Sequence, residues 1–93
     1  MYSGRSSGLA EATVATGLHG PVTVILSSPA ANTTQITGKL YRKDGTTTSH
    51  QLMTFAVDAG PATELRPGPL AAGESLYLTL DAAPTAQLII TSW

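Results

Sequence analysis

Period-two alternation is the feature that most constrains what this chain can fold into. In Val22-Thr23-Val24-Ile25-Leu26, the residues Val22, Val24 and Leu26 share one face. Ile36, Gly38 and Leu40 share a face, and Gln35, Thr37, Lys39 and Tyr41 take the other. Met53, Phe55 and Val57 alternate with Leu52, Thr54 and Ala56. Leu76, Leu78 and Leu80 repeat the pattern with Tyr77 and Thr79 between them, and Leu88 and Ile90 oppose Gln87, Ile89 and Thr91. Successive side chains of a strand project to opposite sides, so this pattern marks strands with one buried face. No segment sustains a 3.6-residue period, and β-branched residues crowd these runs, which disfavours helices.

The connectors carry turn chemistry. Gly20-Pro21 precedes the first clear strand, and Ser28-Pro29-Ala30-Ala31-Asn32 ends it, because proline cannot donate to a ladder. Asp44-Gly45 fits a tight hairpin turn. Gly60-Pro61, Pro67-Gly68-Pro69, Ala72-Gly73-Glu74 and Asp81-Ala82-Ala83-Pro84 break the rest of the chain. Seven or eight short strands at this spacing predict an all-β fold, a small antiparallel β-sandwich of the jelly-roll or Ig-like kind. The expected interior is Val22, Val24, Leu26, Ile36, Leu40, Met53, Phe55, Val57, Leu65, Leu70, Leu76, Leu78, Leu80, Leu88 and Ile90. At 93 residues the chain is one domain, expected over residues 9–93. Residues 1–8 are Ser- and Gly-rich and are expected to be a flexible N-terminal arm, of a kind that can become ordered by lying across a neighbouring subunit.

Composition removes several function classes. The net charge is −1, and Arg5, Lys39, Arg42, Lys43 and Arg66 form no basic stripe, so nucleic acid is not an expected partner. No apolar run approaches the ~18 residues of a membrane-spanning helix, and residues 1–8 lack the apolar stretch of a signal peptide. There is no cysteine, hence no disulfide and no thiolate metal site. His19 and His50 read as surface histidines, and no metal is expected. No Gly-x-Ser-x-Gly elbow is present, and Glu11, Asp44, Asp58, Glu64, Glu74 and Asp81 lie mostly at turns with no evident acid/base pair. Gly68 and Gly73 open no helix that would cradle a phosphate. The chain is therefore expected not to be an enzyme, with no catalytic, cofactor-binding or metal residues.

The outward apolar and aromatic residues are more informative. Ile25, Tyr41, Tyr77, Ile89 and Trp93 fall on outer faces or at the chain end. Gathered on one sheet they would mark an interface, and scattered they would be ordinary surface. With the arm residues Tyr2 and Arg5, the candidate partner-binding set is Tyr2, Arg5, Tyr41, Tyr77, Ile89 and Trp93. Charged residues are only 12% of the chain, about half the usual share, which fits a surface partly covered by other chains and equally an ordinary neutral β domain.

The order of elements, from Gly17-Leu18 through Ser28-Pro29-Ala30-Ala31-Asn32-Thr33-Thr34-Gln35-Ile36-Thr37-Gly38 and a charged hairpin to Pro67-Gly68-Pro69-Leu70, continues into Ala71-Ala72-Gly73-Glu74-Ser75-Leu76 and closes on Ile89-Ile90-Thr91-Ser92-Trp93. This order resembles small β-sandwich virion proteins of tailed bacteriophages, of the capsid decoration or cement type, over about residues 17–93. Where members of that group often carry an apolar residue and Asn before the central hairpin, this chain has Tyr41-Arg42-Lys43-Asp44. The resemblance implies a structural protein made in the host cytoplasm and located on the virion. There it would bind the outer surface of the major capsid protein as a homo-oligomer, with a trimer expected, and stabilise the head. A tail, neck or fibre-base subunit, or a carbohydrate- or peptide-binding module using Tyr41, Tyr77 or Trp93 for stacking, are the alternatives.

Overall fold

A computed structural model describes residues 2–6, 9, 11–16, 20–44 and 48–93. Their eight strands are β1 (Tyr2–Ser6), β2 (Ala12–Ala15), β3 (Val24–Ser27), β4 (Ile36–Asp44), β5 (Thr48–Val57), β6 (Ala62–Leu65), β7 (Glu74–Leu80) and β8 (Leu88–Ser92). They form two antiparallel four-stranded sheets, ordered β1-β8-β3-β6 and β2-β7-β4-β5. The pairing is nested: β4 with β5, β3 with β6, β2 with β7 and β1 with β8. The chain is thus one long two-stranded ribbon whose tip is the β4–β5 connection. Rolling the ribbon up lets β3 also pair with β8, and β4 with β7. That is the jelly-roll connectivity, and it selects the first of the two expected sandwich types.

The alternating residues meet between the sheets. Leu26, Leu40, Leu76, Leu78, Leu88, Ile90, Val24 and Val57 are fully buried there, with Val22, Ile36, Phe55, Leu70 and Leu80 nearly so. Met53 and Leu65 are only partly buried and pack against this core from its margin. Val14 and Ala15 are interior residues that the alternation does not mark. The register of β2 on β7 shifts between Thr13 and Ala15, so two consecutive side chains turn inward and the period-two signal is lost.

The segment expected as a flexible arm is different in the structure. Residues 2–6 are β1, paired with β8 from Tyr2↔Ser92 to Ser6↔Leu88, and the Ser6 side chain is buried. The stretch has little apolar surface to bury, and backbone pairing to the open edge of β8 takes its place. Arg5 thereby becomes a sheet residue of the domain itself. Met1, Ser7, Gly8, Gly17, Leu18, His19 and Gly45 lie outside the described residues, so the turn expected at Asp44-Gly45 and the placement expected for His19 do too.

Three close contacts lock the sandwich. Asn32 is buried in the turn after β3, where its amide donates to Ala86 O (2.9 Å) and Ser28 Oγ (3.2 Å) and accepts from Ala86 N–H (2.6 Å). This ties the β3–β4 turn to the loop before β8. Ser92 Oγ donates to Val14 O at 2.6 Å, joining β8 of one sheet to β2 of the other. Gly38 sits near the start of β4 opposite Leu80 and Phe55, with the Phe55 ring over it. A Cβ at Gly38 would lie 2.7 Å from Phe55 Cζ and would collide with the Thr79 carbonyl oxygen. In the turn before β7, Gly73 has φ of +85°, which a side chain would strain, and Glu74 caps the same turn by accepting from Ala71 N–H at 2.7 Å.

Two stability outcomes follow from these contacts. Gly38→Ala should cost about 3 kcal/mol or more in denaturant unfolding, at the upper end of overpacking effects. Adding Phe55→Leu should not rescue it, because the Thr79 carbonyl is backbone. Asn32→Ala should cost about 2–3 kcal/mol, since it strands the Ala86 backbone groups as well as removing its own bonds.

Candidate functional site

With one face of every strand turned inward, the sandwich presents two outer faces, and the expected partner-binding residues divide between them. On the β1-β8-β3-β6 sheet, Arg5 lies directly opposite Ile89, and Ile89 opposite Ser27. Ile25 lies opposite Thr91 on one side and Glu64 on the other. Trp93 follows β8 and is strapped to Thr23 by two backbone bonds, Thr23 N–H to Trp93 O (2.9 Å) and Trp93 N–H to Thr23 O (3.1 Å). Its side chain stays outside, and the residue is 50% exposed. The chain end is therefore held in place while the indole faces outward.

Ile25 is the diagonal neighbour of both Ile89 and Trp93, and diagonal positions on a sheet lie within reach of large side chains. Ile89, Ile25 and Trp93 thus form one stripe across β8 and β3, with Ile25 and Ile89 half-buried. Thr23, Ser27 and Thr91 fill the spaces between them. Charge is confined to the margin: Arg5 on β1, Glu64 on β6, and Arg66, whose Nε donates to Glu64 Oε1 at 2.7 Å. Ile25 is the member that the expected set lacked. Its alternation with the inward Val24 and Leu26 marks it as outward, but only strand order makes it the centre of the stripe. Tyr2 is opposite Ser92, a buried residue, and so occupies a different register position from Arg5 and Ile89.

The outer face of the β2-β7-β4-β5 sheet carries the two tyrosines. Tyr41 and Tyr77 are direct cross-strand partners, with Thr13 beyond Tyr77 and Gln51 beyond Tyr41. Lys39 lies between Thr79 and Thr54. The Lys43 ammonium sits over the Tyr77 ring, 4.7 Å from its centroid, and also pairs with the Glu11 carboxylate. A sugar stacking on that ring face would have to displace the chain's own cation. Tyr41 and Tyr77 are therefore brought together, while Ile89 and Trp93 lie on the opposite side of the sandwich.

The acidic residues are mostly taken up by structural contacts. Glu74 receives Arg42 Nε at 3.1 Å, a charge contact without hydrogen-bond alignment. Gln35 donates to Asp58 at 3.1 Å, and Thr37 donates to Asp81 at 3.0 Å. Asp44 stands opposite Glu74 in register, but the Glu74 carboxylate is turned to Ala71 N–H and Arg42. His50 is exposed on β5 opposite Arg42. Among the described residues no three His, Asp or Glu side chains gather as metal ligands.

The packing of Lys43 on Tyr77 is directly measurable. Its ε-methylene protons should resonate upfield of ordinary lysine and return to normal in Tyr77→Leu. A double-mutant cycle with Lys43→Met should give a coupling of about 0.5–1 kcal/mol. Comparison with protein-family models, curated proteins and solved structures finds no match to this chain.

Proposed function

We propose that this chain is a structural virion protein of the capsid decoration type, which binds the outer surface of a bacteriophage major capsid protein and stabilises the head. The observation that carries the reading is the Ile89, Ile25 and Trp93 stripe, a continuous apolar strip on an otherwise small-residue face with charge only at its rim. That is the anatomy of a protein-docking surface: an apolar centre with an aromatic anchor and a polar margin. The low charge content and the resemblance in element order support the same reading. The jelly roll is an architecture of viral capsid proteins, and also of lectins and cupins, so it agrees with the reading without selecting it. The tyrosine face gives less support to a glycan-binding module, because Lys43 already covers the Tyr77 ring.

Energetically, one stripe supplies modest affinity, and a shell repeats it at every equivalent position. Truncating a central aromatic anchor typically costs about 2 kcal/mol or more, roughly 30-fold in affinity. Co-sedimentation with expanded heads assembled without the protein should therefore show saturable binding. The double variant Ile89→Asp, Trp93→Ala should weaken binding about 30-fold or more while still folding, whereas Tyr41→Ser on the opposite face should bind as the parent does. Absence of binding to expanded heads, or equal binding by the Ile89/Trp93 variant, would sink the proposal.

A further inference from the structure

The two sheets have four edge strands, and the molecule guards three of them. β1 and β2 lie on the same side of the sandwich and lean against one another. β1 carries Arg5, and β2 has only four residues with a register break in the middle. β6 also has four residues, with Glu64 inside it, Pro61 just before it and Arg66 just after it. Short length, charge, proline and bulges are the devices by which sheet edges avoid pairing with other chains. β5 is the exception. It has ten residues, pairs among the described residues only with β4, and contains no Asp, Glu, Lys, Arg or Pro. Its single interruption is the register shift opposite Leu40 and Tyr41, which leaves Leu52 as the extra residue. Beyond it, residues 53–57 run in regular register along β4, and the first charge is Asp58.

We infer that residues 53–57 of β5 pair antiparallel with the same residues of a second copy of this chain, across a two-fold axis at Phe55. This register uses the whole regular segment of both copies, stopping at the Leu52 bulge on one side and Asp58 on the other. It is also self-complementary. Met53 faces Val57 of the second copy and Phe55 faces Phe55, so the half-exposed Met53 at the core margin gains an apolar neighbour. On the outer face, the exposed Thr54 meets Ala56, two small neutral side chains. With no charge in the strand, two copies approach without like-charge repulsion. The result is a continuous eight-stranded sheet formed from two four-stranded ones. A three-fold ring, by contrast, would need β5 to meet a different edge, and its neighbour β6 carries the guards. This association goes beyond the capsid reading and is measured without shells, so the failure of either leaves the other standing.

Sedimentation velocity of the full chain, at concentrations up to about 1 mM, tests it. The expected species is a dimer of about twice the 9.6 kDa chain. Two double variants then read the register. Thr54→Lys, Ala56→Lys places like charges opposite each other at both outer pairs and should give a monomer. Thr54→Lys, Ala56→Glu places opposite charges there and should remain a dimer. All three substitutions fall on the two exposed positions Thr54 and Ala56, and thermal unfolding confirms that both variants fold. A parent chain that stays monomeric or forms a trimer would overturn the inference, as would two variants that behave alike.

Discussion

The two sheets meet through alternate side chains, and the rest of the molecule depends on that contact. Where a strand alternates regularly, one face is committed to the interior and the identity of the other follows by parity; the bulged β2 is the exception. Among the described residues the buried core is aliphatic apart from the Phe55 ring. That ring lies over Gly38, and the Thr79 backbone carbonyl stands closer still, which together explain why a residue with no side chain occupies this position of a central strand. The ring and the neighbouring backbone thus dictate composition on the strand between them.

Hydrogen bonds complete what packing begins. Asn32 reaches from the turn after β3 to the backbone of Ala86, and Ser92 reaches from β8 to the carbonyl of Val14 in the other sheet. Both side chains are buried, where a polar group is tolerated only with partners. Each joins segments far apart in sequence. They hold in place the loop before β8 and the β8–β2 side of the sandwich, and with them the strand that carries Ile89 and leads into Trp93.

The outer surface is divided rather than uniform. One face is an apolar stripe bordered by charge, the other a pair of tyrosines partly covered by a lysine, and one long edge strand is left unguarded. These are three surfaces of different chemistry on a chain of 93 residues. A small domain with so few charges and several uncovered surfaces is well suited to repeated contacts within an assembly, which is the common ground of the capsid reading and the two-fold pairing.

Most of the strand framework was legible in the sequence. The alternation around Leu26, Leu40, Val57, Leu78 and Ile90 identified both the strands and their buried faces, because side-chain direction in a strand is a local property. It failed at β2, where a bulge turns both Val14 and Ala15 inward, and at β1, whose Ser- and Gly-rich residues carry no apolar signal. For the candidate site, the sequence identified Tyr41, Tyr77, Ile89 and Trp93 as outward but not which of them are neighbours. Only the tertiary structure decided that Tyr41 joins Tyr77, that Ile25 completes a stripe with Ile89 and Trp93, and that Arg5 belongs to a sheet rather than an arm. The reason is physical: direction along a strand is set by its own backbone, whereas adjacency across a sheet depends on which distant strands pair and in what register.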